Sequence, residues 1–361
     1  MVALKSSIPI TVITGFLGSG KTTLLSALLK QKEMSNTAVI INEFGEVGLD
    51  HALIEHSDEN IVELQSGCIC CTIRGDLHKT LLHLTDKMVK GKIPPFDRVV
   101  IETTGLANPV PIIHTLMTSF DLQRIYKLDG VITLVDAANG ENTLDTQTES
   151  VKQIALADRI ILSKTDLADS KTQQSLIKCL KNINPAVTII PSNHGDVRVS
   201  SLFGLGTYDP SNKSRDVKDW LAAEQYEEGH DHDHHSESEH HHNDVNRHGE
   251  HIQAFAITND KPVSLMSFGF FLELLGAQVG PDLLRIKGII NIEGENRPAV
   301  IHGVQHIFHP VHWLDTWPDE DKRTRLVFIT RNIEKEEVEG FFHALMGDVE
   351  KEVKPKETGQ A

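Results

Sequence analysis

Two short stretches hold the residue types and spacings on which chemistry could be built. GFLGSGKT (15–22) fits G-x-x-x-x-G-K-[ST] throughout, with the apolar run IPITVIT before it and KTTLLSALLK after it. In such a loop Gly15, Gly18 and Gly20 let the backbone N–H groups around Ser19 turn inward onto phosphate oxygens. The helix N-terminus behind the loop adds a positive dipole end. Lys21 then reaches the β- and γ-phosphates, Thr22 offers a hydroxyl to Mg²⁺, and Thr23 continues the cradle. The second stretch, SGCICCTIRGD (66–76), holds three of the four cysteines, Cys68, Cys70 and Cys71. Spacing alone leaves a metal site, a disulfide and a packed core open.

Further acidic and basic residues fall at the tips of apolar runs. RVVIETTG (98–105) ends a strand-like run in Glu102, which can hold Mg²⁺ through water, and Gly105 can sense a γ-phosphate. RIILSKTD (159–166) puts Lys164 and Asp166 two apart. Asp166 can accept from the exocyclic and ring nitrogens of guanine while the Lys164 stem covers the base. The pattern is similar to N-K-x-D of GTPases, with Ser163 where asparagine usually braces the loop. GTP is therefore favoured over ATP.

The chain has 361 residues, enough for two domains that each bury a core. A formal charge of −16 argues against a nucleic-acid partner, since phosphate backbones need a Lys/Arg surface. Residues 1–9 lack a signal-peptide core, and no apolar run reaches membrane-spanning length. A cytoplasmic protein with no membrane partner is expected. Four cysteines in such a chain argue against a disulfide scaffold.

The elements that must position these residues alternate. Strands are expected at Ile10–Thr14, Ala38–Asn42, Arg98–Glu102, Gly130–Asp136, Arg159–Lys164 and Val187–Ile190, with helices at Lys21–Lys30, Asp76–Val89, Pro111–Phe120, Thr148–Ala155 and Lys171–Lys181. The alternation implies a parallel sheet with helices on both faces, the α/β P-loop NTPase plan, over 1–208. Residues 209–250 are polar and read as a linker. Strand runs at 251–257, 283–292, 299–310 and 325–331, with helices at 264–278 and Glu334–Leu345, make 251–348 a smaller α+β domain. A charged tail, 349–361, is expected to fray. Cys179, in LIKCLK, is assigned to the core, and His302, His306, His309 and His312 are expected not to converge.

GFLGSGKTT, NEFGEVGLD (42–50), SGCICCTIRGDL (66–77), ETTGLANP (102–109), SKTD and RIKGIINIEG…VIHGVQ together resemble the CobW family of metal-handling GTPases, relatives of HypB and UreG. The resemblance runs from Pro9 to about Met346. It implies a GTPase domain fused to a CobW C-terminal domain, with Cys68, Cys70 and Cys71 binding Zn²⁺ or Co²⁺ in a manner coupled to the nucleotide. Three thiols without a second pair suit an open, exchangeable site. NEFGEVGLD takes the place of a switch segment, where Glu43, Glu46 and Asp50 could reach Mg²⁺, orient water or complete the metal shell. Lys21, Glu102 and Glu43 are the expected catalytic set.

Of the 20 histidines, nine lie between His230 and His251, interleaved with Asp and Glu. His230, His232, His234, His235, His240, His241 and His242 are candidate loose ligands for Zn²⁺, Co²⁺ or Ni²⁺, suited to capture or buffering. The leading expectation is a Mg-GTP-coupled zinc chaperone delivering to an unidentified client metalloenzyme, with a homodimer as one arrangement left open. A Co²⁺ chaperone for cobalamin synthesis, a histidine-rich zinc store and a regulatory GTPase with structural cysteines are the alternatives.

Overall fold

The computed structural model describes residues 7–41, 61–63, 73–205, 252–309 and 311–346. Within 7–205 the chain runs β1 (Ile8–Gly15), α1 (Lys21–Leu29), β2 (Thr37–Ile41), β3 (Ile61–Glu63), α2 (Ile73–Val89), β4 (Arg98–Glu102), α3 (Val110–Thr118), α4 (Phe120–Gln123), β5 (Tyr126–Asp136), α5 (Gly140–Thr146), α6 (Thr148–Ala155), β6 (Arg159–Ser163), α7 (Ser170–Ile183) and β7 (Thr188–Ser192). The strands form one sheet in the order β3-β2-β4-β1-β5-β6-β7, every pair parallel.

Period-two alternation in doubly covered strands sorts the side chains to two faces. Ile10 and Val12 of β1 face a core with Leu77, Leu81 and Leu84 of α2 and Ile112, Ile113 and Leu116 of α3. Ile13, from the opposite face, packs with Leu24, Leu25 and Leu28 of α1. α5, α6 and α7 bury Leu144, Ile154, Leu176 and Leu180 against Ile160 and Leu162 of β6. Helices thus cover both faces, as the alternation implied.

The second sheet is antiparallel: β8 (Ile252–Asn259), β9 (Leu283–Ile290), β10 (Ala299–Val304), β11 (Ile307–Phe308), β12 (His312–Trp313) and β13 (Thr324–Arg331). Its order is β11-β10-β9-β13-β8, with β12 also on β10. α8 (Leu265–Val279) and α9 (Lys335–Met346) lay Phe268, Phe271, Val338 and Phe342 on Phe255, Ile286 and Phe328. On the other face, Leu284 and Ile329 join the α5–α7 core.

Several elements depart from the sequence reading. The expected strand 299–310 is broken by a tight turn at Gln305–His306, where Gln305 takes φ 55°, and β11 folds back on β10. The expected helix Pro111–Phe120 ends at Thr118, because Ser119 turns extended and its hydroxyl caps α4 instead. α5 and β3 have no counterpart in the expected elements. No helix among the described residues is long and apolar enough to cross a membrane.

Candidate functional site

The sequence-selected residues with described positions gather at the carboxyl ends of the parallel strands, where open α/β sheets hold ligands. β1 ends in Gly15 and runs into the loop that precedes α1. Gly15 has φ 142°, and a Cβ there would meet the Leu134 carbonyl oxygen of β5 at 2.4 Å, so only glycine fits. Lys21, buried, donates from Nζ to the carbonyls of Gly15 at 2.9 Å and Phe16 at 3.0 Å. Thr22 Oγ1 donates to Glu102 Oε1 at 2.8 Å, joining the start of α1 to the tip of β4. Thr23 is exposed at the start of α1 and lines a cleft of about 780 Å³ with Lys30, Asn193, His194 and Arg198.

An oxygen-only pair, a hydroxyl and a buried carboxylate, suits a hard cation such as Mg²⁺. The donor set of Thr22 and Glu102 therefore fits that ion, and these two side chains would hold it.

The segment after β4 closes over the loop. Thr103 donates its backbone N–H to the Ile13 carbonyl at 2.9 Å and its hydroxyl to Thr14 Oγ1 at 2.8 Å. Gly105 lies so close to Leu17 that a Cβ would sit 2.6 Å from the Leu17 backbone nitrogen. Glycine at 105 is thus required by a close approach of two chain segments.

At the tip of β6 stands Ser163, at the position where N-K-x-D carries asparagine. Its hydroxyl lies 2.7 Å from the Ser19 carbonyl and 3.2 Å from that of Val135, tying the strand tip to the glycine loop. Lys164 adopts φ 55° and donates to Asp136 Oδ2 at 2.7 Å. Burial pushes the Asp136 carboxyl up, but bonds from Lys164, Asn139 and the amides of Ala138 and Asn139 outweigh it and hold it below the usual range. Asp166 donates its backbone N–H to Asn193 Oδ1 at 3.1 Å, and Thr165 Oγ1 bonds the same oxygen. His194 Nε2 approaches the Asp166 carboxylate at 4.0 Å.

The family description "CobW/HypB/UreG, nucleotide-binding domain" matches residues 9–191, and "Cobalamin synthesis protein cobW C-terminal domain" matches 252–346. The chain belongs to the CobW family. It is 35% identical over 341 residues to the zinc chaperone YjiA of Escherichia coli (strain K12), covering 94% of this chain and 98% of that relative. It is 29% identical over 360 residues to the zinc chaperone CobW of Sinorhizobium sp, covering 91% and 94%. The crystal structure of the Zn(II)-bound YjiA GTPase from E. coli superposes with a TM-score of 0.67 at 31% identity, over 94% of this chain and 99% of that one.

In this CobW-family chain Cys68, Cys70 and Cys71 lie outside the described residues, as do Glu43, Glu46, Asp50 and the run from His230 to His251. Among the described residues no cluster of three or more His, Cys, Asp or Glu could hold a metal ion. Cys179 is half-buried and packed against the α7 core rather than within it, and burial pushes its thiol up.

Two C-terminal histidines correct the expectation of scattered positions. The hairpin turn pairs them: His309 donates its backbone N–H to the His302 carbonyl at 2.8 Å. With Ile113, Asp158 and Arg285 they line a water-sized space of about 20 Å³ between the sheets. Burial, with Lys287 and Arg285 nearby, pushes His302 well below its ordinary value. His306, at the turn, stands 5.5 Å ring to ring from His114 of α3.

The sequence reading missed Gln153, Asn193, Asp136 and the seam beneath α6. At that seam Asp158 accepts from Arg285 and, at 2.7 Å, from Lys287, both on β9. Burial raises the Asp158 carboxyl, but the two cations overcome it and hold it far below the usual range. Burial and the Arg285 charge push Lys287 down to about 8. Arg285 also donates to the Leu156 carbonyl.

Proposed function

We propose that this chain is a GTPase that carries zinc, binding it at Cys68, Cys70 and Cys71 and handing it to a client metalloenzyme. The observation that supports the nucleotide half most directly is the Thr22–Glu102 bond at 2.8 Å, with Gly105 pressed on Leu17 beside it. These groups stand where the metal and terminal phosphate of a nucleotide would meet. Guanine is supported by Lys164 and Asp166, with Asn193 bracing their loop. Membership of the CobW family, and the zinc-chaperone relatives in two bacteria, support zinc as cargo.

Mg²⁺, when bound with GTP, would supply neutralising positive charge for the phosphates. Lys21, held on the Gly15 and Phe16 carbonyls, is placed to donate to the phosphates instead, and Thr22 and Glu102 would hold the ion. The segment that begins at Thr103 senses the γ-phosphate through Gly105, and NEFGEVGLD, with Glu43, is the switch stretch in this reading. Ordering brings the thiolates together, and hydrolysis releases them, the order–disorder logic of GTP switches.

Competitive chelator titration of Zn²⁺ with a non-hydrolysable GTP analogue, with GDP and without nucleotide tests the reading. Zinc should bind at least about tenfold tighter with the analogue, and by linkage zinc should tighten the analogue equally. Cys70→Ser with Cys71→Ser should abolish the difference. Equal zinc affinity in all three states sinks the chaperone reading. Loss of most bound zinc on deleting 229–251, with no nucleotide dependence left, would favour a zinc store instead. Running Co²⁺ in the same titration decides between the two cargoes.

A further inference from the structure

Gln153, on α6, is a fully buried polar side chain near the phosphate loop, at 0% exposure. Its Nε2 donates to two carbonyls of the segment after β4, Gly105 at 3.3 Å and Ala107 at 3.0 Å. Because the peptide is planar and trans, holding the Gly105 carbonyl toward α6 turns the N–H of Leu106 the opposite way. One side chain thereby sets the tilt of the backbone just where Gly105 meets Leu17.

The same side chain carries an unfinished hydrogen-bond set. Gln153 Oε1 is buried with no partner among the described residues, and so is Thr104 Oγ1 in the adjoining segment. A buried amide oxygen favours any arrangement that brings it a donor.

Gln153 also stands on a rigid base. Thr133 Oγ1 donates to its main-chain carbonyl at 2.8 Å, and Asn184 Nδ2 donates to the carbonyls of Ile154 and Ala157, both at 3.0 Å. Beyond the helix, Arg285 holds the Leu156 carbonyl and the Asp158 carboxylate.

We propose that Gln153 is a positioning residue that sets the 103–107 backbone for the γ-phosphate, so that it acts on GTP and not on GDP. The proposal rests on the reading that this segment senses the γ-phosphate. A buried glutamine kept only for packing would affect both nucleotides alike or neither. Selectivity between them is therefore the deciding readout.

The experiment uses the full chain with Mg²⁺. Gln153→Met keeps the volume and removes both donors. GDP affinity should stay within about twofold, affinity for a non-hydrolysable GTP analogue should fall about tenfold, and kcat for GTP should fall by a similar or larger factor. Gln153→Glu supplies a pH signature. The carboxylate has no donor at pH 8, whereas the protonated acid regains one, so analogue affinity should recover toward pH 6 while wild type does not change in that sense. If the Met variant fails to fold, the Glu variant carries the test alone.

Equal losses for GDP and analogue, or wild-type behaviour of both variants, overturn the proposal. Lys21→Ala in the same assays separates the two levels. If Lys21→Ala hydrolyses GTP like wild type, the nucleotide reading itself has failed. If it does not, and Gln153→Met matches wild type, only the role of Gln153 has failed.

Discussion

The phosphate site and the seam between the two sheets both bury charge, but they hold it differently. At the phosphate site Lys21 donates to backbone carbonyls and Glu102 accepts from a hydroxyl. At the seam Asp158 faces two cations at once. Bonds to carbonyls and hydroxyls exchange readily when a multiply charged ligand enters. A carboxylate closed between Arg285 and Lys287 gives up its partners only at the cost of stranded buried charge. The first arrangement is made to be rearranged, the second to stay.

Substitutions should therefore separate the two regions by readout. Lys21→Ala should lower GTP hydrolysis on the order of 10³-fold, by removing a phosphate donor in a low-dielectric site, with a urea midpoint close to wild type. A large stability loss with hydrolysis intact would reverse the assignment. Asp158→Ala should do the opposite, destabilising by about 3–5 kcal/mol because Arg285 and Lys287 stay buried without it. Chemical denaturation measures the loss, and Lys287→Met in the Asp158→Ala background should recover part of it.

Acid should act on the seam before the phosphate site. His309 titrates at about 4 in the folded chain against an ordinary 6.5, through burial with Arg285 beside it and against the pull of Asp158. His302 is depressed in the same direction by burial and by Lys287 and Arg285. Both are neutral in the fold, so the unfolded chain takes up protons first as pH falls below about 6.5. Stability fully present at pH 7 is lost between about 6.5 and 4, by about 3 kcal/mol for His309 alone. Asp158, depressed below the ordinary carboxylate range, loses its contribution only at still lower pH. His309→Gln should flatten that acid limb in urea titrations across the window, and an unchanged limb would remove the histidine from the account.

The smallest effect should come from Ser163→Ala, which removes the hydroxyl 2.7 Å from the Ser19 carbonyl. GTP and GDP affinities should fall together by about fivefold to tenfold, one neutral hydrogen bond's worth. Calorimetry reads both, and a loss confined to GTP would place Ser163 in the γ-phosphate machinery instead.

The parallel sheet and its phosphate loop were legible because their signals are local: a glycine spacing, an acidic strand tip, a run of β-branched residues. Ser163 looked like a weakened guanine motif, yet its hydroxyl reaches Ser19, 144 residues away. Gln153 read as one more polar residue on an amphipathic helix. Its meaning lies in the Gly105 carbonyl, 48 residues earlier in the chain. The Arg285–Asp158 pair spans 127 residues and no periodicity points to it. His302 and His309 looked scattered because the turn at Gln305 carries neither glycine nor proline, so the strand appeared continuous.

The place of β1 in its sheet also governs how the chain is made. β1 precedes every other described strand, yet it lies between β4 and β5, pairing Ile10 with Val99 and Leu128. A ribosome making the chain releases β1 long before either neighbour exists. At roughly 5–20 residues per second, β1 waits on the order of 10 s with its apolar edges bare. During that interval the nascent chain presents those edges to whatever chaperones attend the ribosome.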